Sequence, residues 1–145
     1  MDNSKYESLK LKNQICFPLY AASREIIKQY KPFLDEIDLT YTQYIAMMIL
    51  WDKKTINVKQ MGELLYLDSG TLTPLLKKLE AKGMLTRTRS KDDERNLDIA
   101  ITSKGEQLKD KALTVPQKMA QCSKLEPEEA ITLYRILYKI LGEEN

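Results

Sequence analysis

Leu67-Asp68-Ser69-Gly70-Thr71-Leu72-Thr73-Pro74-Leu75-Leu76-Lys77-Lys78-Leu79-Glu80-Ala81-Lys82-Gly83 reads as a turn followed by one helix with both ends marked. Leu72, Leu75, Leu76 and Leu79 recur at the spacing of a buried helical stripe, while Thr71, Thr73, Lys77 and Lys78 fall mostly on the other side. Asp68 or Ser69 supplies the capping side chain, and Gly83 suits the left-handed position past a helix end. Just upstream, Asn57 caps a helix over Val58 to Leu65, with Tyr66-Leu67-Asp68 as the turn between the two. Just downstream the period changes. Leu85, Arg87 and Arg89 alternate with Thr86 and Thr88, and Leu97, Ile99 and Ile101 alternate with Asp98 and Ala100. A charged loop from Ser90 to Asn96 joins these two strands.

A helix-turn-helix followed directly by a charged hairpin is a winged helix. Its mechanics suit DNA, because a helix enters the major groove while hairpin arginines reach the backbone or the minor groove. The expected fold is therefore mainly α with a small β-hairpin wing. Farther out, Thr40-Tyr41-Thr42-Gln43 is a capping box ahead of the apolar run Tyr44 to Trp51. The stripe Ile15, Leu19, Ala22, Ile26 and Tyr30 predicts a helix from about Leu11 to Tyr30. Pro18 either kinks it or divides it in two, and Pro32 stands where a further short helix could begin. Thr102 caps a helix reaching about Cys122, and Pro127 opens a last one carrying Ile131, Leu133, Tyr134, Ile136, Leu137, Ile140 and Leu141. The flanking helices hold more apolar residues than a winged core needs, which suggests a helical dimer interface. The chain is expected to be a single domain over 1–145, with a DNA-binding lobe over about 40–102. Dimerisation helices are expected over about 8–36 and 103–145.

The composition narrows the chemistry. The 145 residues include no His, two Cys and five scattered Gly. Serine or cysteine catalysis through histidine, imidazole metal sites and Cys₄ zinc sites are excluded, and no metal or cofactor is expected. Neither phosphate-cradling glycine motif occurs. The polar start lacks a signal-peptide core and no long apolar run appears, so a cytoplasmic location without a membrane is expected. Net charge is only +2, yet Lys77, Lys78, Lys82, Arg87, Arg89 and Lys91 face one acid, Glu80, between Ser69 and Lys91. Such a local patch is a footprint for nucleic acid, or a solvated helix face.

Cys16 reads either as a small buried hydrophobe or as a nucleophilic thiolate. Without histidine, a thiolate would depend on tyrosine hydroxyls, a helix N-terminus or basic residues. Tyr20 lies one helical turn beyond it, and eight Tyr stand against two Phe. A phenol stays protonated at neutral pH and can donate to a thiolate.

Leu67 to Glu80, followed by Asp92-Asp93-Glu94-Arg95, resembles the MarR transcription regulators. Asn13-Gln14-Ile15-Cys16-Phe17, Leu19 to Arg24 and Leu39 to Tyr44 narrow the resemblance to the OhrR type, sensors of organic hydroperoxides. That resemblance implies a homodimer on pseudo-palindromic double-stranded operator DNA, with an organic hydroperoxide as inducer. Ser69, Thr71, Thr73 and Lys77 are the implied recognition contacts. Arg95 is implied to enter the minor groove, oriented by Asp93, with Arg87 and Arg89 near phosphates. Cys16 is the implied sensor, with Tyr20, Tyr30 and Tyr41 stabilising its thiolate, and Cys122 is the implied partner in an inter-subunit disulfide. Pro18 departs from the expected pattern beside the sensor. The resemblance leaves open a broader stress or virulence regulator and a repressor released by a phenolic ligand. A thiol peroxidase, the competing enzyme reading, leaves the basic helix and the winged order unexplained, so no enzyme is expected.

Overall fold

The computed structural model describes residues 3–89, 91 and 97–143. Two 3₁₀ segments, Asn3–Leu9 and Leu11–Asn13, lead into α1 (Cys16–Asp35). Pro18 neither divides α1 nor precedes it. It is the third residue of the first turn, where its missing N–H has no intrahelical partner to lose. Pro32 does not open a new helix but lies inside the last turn of α1.

The capping box at Thr40 and Gln43 starts α2 (Tyr41–Lys53), with the Gln43 amide donating to Thr40 Oγ1 and the Thr40 amide to Gln43 Oε1. Asn57 caps α3 (Val58–Leu65), and Tyr66 closes it in a left-handed conformation. Asp68 is the cap of α4 (Ser69–Ala81) and accepts from the Thr71 amide at 2.7 Å. Beyond α4, Gly83 at φ +77° lets its amide donate to Glu80 C=O and the Met84 amide to Leu79 C=O. This Schellman ending turns the chain sharply into β2 (Leu85–Arg89).

β3 (Leu97–Ile101) pairs antiparallel with β2, with Arg87 opposite Ile99. It also pairs with β1 (Thr55–Asn57), a third strand too short to show any alternation in sequence. The order β1-β3-β2 leaves β2 at an edge.

The expected single helix from Thr102 to Cys122 is two: α5 (Ser103–Ala112) and α6 (Thr114–Cys122). Pro116 cannot donate to the carbonyl of Ala112, so the ladder breaks there. α7 (Pro127–Ile140) completes the chain as expected.

Leu50, Met61, Leu72, Leu79, Ile99 and Val115 sit in one fully buried core joining α2, α3, α4, the sheet and α6. Trp51 Nε1 donates to Gly105 C=O at 2.9 Å inside it. α1 packs on α2 and α6. α7 has no buried residue, and Ile131, Tyr134 and Ile140 stand exposed on it.

Candidate nucleic-acid interface and thiol groove

α4 presents two flanks. Ser69 and Thr73, spaced by one turn, line a cleft of about 740 Å³ whose other walls are α3, the turn at Tyr66–Asp68 and Leu97 of the wing. Lys77, another turn on, extends this flank and is exposed. Thr71 belongs to the opposite flank. With Pro74 and Lys78 it lines a smaller cleft, about 270 Å³, against Thr40 and Thr42 at the start of α2. The four expected recognition residues therefore all reach the surface of α4 but do not form one row. Lys78, which the sequence places on the polar side of the helix and in its basic patch but not among the recognition contacts, shares the Thr71 side. Its signal was the i, i+4 spacing from Pro74.

Asp68 fixes the start of α4, and its bonds from the first turn hold its carboxyl below the usual carboxylate range. In the wing, Arg89 is exposed. Arg87 is half-buried and forks onto Glu80, with Nη2 at 3.0 Å and Nε at 3.2 Å from Oε1. The adjacent guanidinium holds the Glu80 carboxyl below its ordinary range. Asp93 and Arg95 lie outside the described residues.

Cys16 is the first residue of α1 and is exposed in the single chain. It opens on an apolar groove of about 540 Å³ between α1 and α7, lined also by Leu19, Tyr20, Ile26, Tyr41, Leu133 and Leu137. The groove thus brings together Cys16, Tyr20 and Tyr41. Arg24 donates to Tyr20 Oη at 3.2 Å, and an oxygen that accepts there keeps its own hydrogen to donate. Tyr30 stands behind Tyr41, with ring centroids 5.0 Å apart, and Tyr44 completes the cluster at 6.0 Å from Tyr30. Burial pushes the Tyr30, Tyr41 and Tyr44 hydroxyls up, so all three stay protonated at neutral pH.

Cys122 ends α6 and is exposed and unpaired. One turn before it, Lys118 pairs with Glu36 at 2.7 Å and lies over the Phe33 ring. That contact is at the far end of α1, about 25 Å along the helix axis from Cys16. Among the described residues no group of His, Cys, Asp and Glu could hold a metal ion. No described helix is long and apolar enough to cross a membrane.

Taken together, a capped helix-turn-helix with its wing and a solvent-open thiol define a winged-helix regulator of the MarR kind. The comparisons make this specific. Residues 28–112, more than half of the chain, match the family profile described as transcriptional regulator SarA/Rot. The organic hydroperoxide resistance transcriptional regulator of Bacillus subtilis is 50% identical over 97% of this chain and 95% of its own. The HTH-type transcriptional regulator SarZ of Staphylococcus saprophyticus is 46% identical over 92% and 91%. Among solved structures, reduced AbfR bound to DNA superposes with a TM-score of 0.76 at 33% identity, covering 97% of both chains. Disulfide-formed AbfR superposes less well, at 0.65 over 97% and 99%. The chain belongs to the SarA/Rot family of transcriptional regulators, and the resemblance to the OhrR-type MarR regulators is borne out.

Proposed function

We propose that this chain is a cytoplasmic, redox-controlled repressor of organic hydroperoxide resistance that acts as a homodimer on pseudo-palindromic operator DNA. The observation that carries the proposal is the position of Cys16. It heads α1, where the first-turn amides have no helical acceptor, and opens on an apolar groove that Tyr20 and Tyr41 also line. An alkyl or aryl hydroperoxide fits such a groove better than a hydrated peroxide does. The Cys16 thiolate attacks the distal peroxide oxygen, the O–O bond breaks, and the alcohol leaves after taking up a proton. Cys16 becomes a sulfenic acid. Cys122 of the partner subunit then attacks that sulfur, releasing water and closing a disulfide. The exposed apolar residues of α7 and of the start of α1 support burial against a second copy.

Ser69, Thr71, Thr73 and Lys77 would meet the major groove, with Arg89 at phosphates and Arg95, oriented by Asp93, at the wing tip. The thiol reacts once per oxidation rather than turning over. Its likeness to SarZ favours a second reading, the same switch over a wider set of promoters.

The test is binding to the duplex upstream of its own gene at fixed salt. Reduced protein, protein given one equivalent of cumene hydroperoxide, and treated protein restored with dithiothreitol are compared. Binding lost and then regained supports the repressor. Binding indifferent to peroxide overturns the thiol switch and moves a phenolic ligand to the front. Steady peroxide consumption with a thiol reductant would make the chain a peroxidase instead.

A further inference from the structure

Glu80 is the one acid between Ser69 and Lys91, and its position is unexpected for a DNA-facing helix. Spaced three residues from Lys77 and seven from Thr73, it stands on the flank that carries the proposed contacts. A carboxylate there repels phosphate unless its charge is occupied. It is occupied three times over by Arg87. The Arg87 amide donates to Oε2 at 3.0 Å, while Nη2 and Nε fork onto Oε1 at 3.0 and 3.2 Å.

The backbone bond matters as much as the fork. β2 is an edge strand, so alternate amides along it face away from β3 with no ladder partner. Glu80 takes the outward amide at Arg87. The pair is half-sheltered, with the Arg87 side chain 20% exposed and that of Glu80 38%. The Schellman ending at Gly83, the bonds from Thr102 to the Gly83 and Met84 carbonyls and the packing of Leu79 and Leu85 fix the base of β2 against α4, and the Glu80 carboxylate extends that hold to Arg87.

We infer that Glu80 is a positioning residue for operator recognition, locking the edge strand of the wing to the last turn of α4 so that helix and wing meet DNA as one unit. It acts through Arg87 and does not touch DNA. The inference rests on the operator-binding reading above.

The sign of one substitution tests it. Glu80→Gln removes a negative charge from a DNA-facing surface. By electrostatics alone it strengthens binding to every duplex. As a positioning residue its loss weakens operator binding, by about tenfold for a charged fork of this size, while a scrambled duplex of equal length is bound as before or tighter.

Unchanged or tighter binding of both duplexes overturns the inference. An equal loss on both, with a lowered melting temperature, also overturns it, because the residue is then merely structural. The double variant Glu80→Arg with Arg87→Glu restores the ion pair in reverse but not the bond from the amide of residue 87, and is expected to recover part of the operator affinity lost in Glu80→Arg. No recovery, at a wild-type melting temperature, is a second route to refutation. If wild-type protein itself fails to prefer the upstream duplex, the operator reading fails first and this inference goes with it.

Discussion

Tyr66, the left-handed residue that closes α3, donates its hydroxyl to the carboxylate of Glu143, joining the reading head to the far end of the chain. That bond pushes the Tyr66 hydroxyl up to about 12. A raised folded value means the contact is fully present below the ordinary tyrosine range near 10, and is lost as pH rises through about 12. Spectrophotometric titration should show a late-ionising phenol that Glu143→Gln moves to lower pH. Tyr66→Phe should speed amide exchange at the end of α7 while leaving the melting temperature nearly unchanged.

Gly105 admits no side chain. A Cβ there would lie 2.3 Å from Met84 C=O and 2.8 Å from Ile101 Cγ1. Gly105→Ala should therefore cost about 3 kcal/mol or more by urea unfolding. Trp51→Phe, which removes the indole donor while the Gly105 carbonyl keeps its place in the α5 ladder, should cost about 1 kcal/mol.

The two thiols should separate chemically. Under the proposed switch, wild-type protein given cumene hydroperoxide both loses operator binding and forms a cross-linked dimer on a non-reducing gel, whereas Cys122→Ser, stopped at the Cys16 sulfenic acid, forms no cross-link and is released only in part. Cys16→Ser should neither cross-link nor be released, and should bind DNA like the reduced wild type. A cross-link surviving in Cys16→Ser would remove the proposed pairing.

Salt dependence should sort the basic residues. Lys77→Ala and Arg89→Ala are each expected to lower the slope of log affinity against log salt by roughly one unit. Lys28, paired with Glu25 on α1, should leave it unchanged when replaced by Ala.

Acid should act on α4 through Asp68 and Glu80, whose carboxyls both lie below the usual range. Depressed folded values mean that their contribution is complete above the unfolded carboxylate value near 4, and disappears as pH falls through the depressed ones. Asp68→Asn and Glu80→Gln should each flatten the acid limb of a stability-against-pH curve. An acid limb unchanged in both variants would show that neither carboxylate is linked to folding.

The elements that were legible in sequence were those specified locally. α4 carries its cap, its apolar stripe and its terminal glycine within seventeen residues, and the structure adds only the choice of Asp68 over Ser69. What was not legible depends on chain reversal or on distance. The Glu80–Arg87 fork requires the turn at Gly83, which makes two oppositely charged residues face each other rather than merely alternate with neighbours. The pairing of β1 with β3 and the bond from Tyr66 to Glu143 join segments far apart in the chain. The break at Leu113 comes from Pro116, whose missing amide outweighs a polar-apolar period that continues across it. Of the three expected tyrosines, Tyr20 followed from helical spacing. Tyr41 reaches the groove only because α2 packs across α1, and Tyr30 reaches Tyr41 rather than the groove itself.

α1 runs for twenty residues, about 30 Å, with Cys16 in its first turn and, at its other end, Lys118 over the Phe33 ring of the last turn and paired with the Glu36 carboxylate just past it. Sulfur and grip thus sit at the two ends of one straight-through element. Under the proposed switch, a small shift where the thiol sits would be carried along α1 as a swing of the end that α6 holds. Stiffness of the span, and not affinity for any ligand, would then decide how much of an atomic event becomes visible as movement.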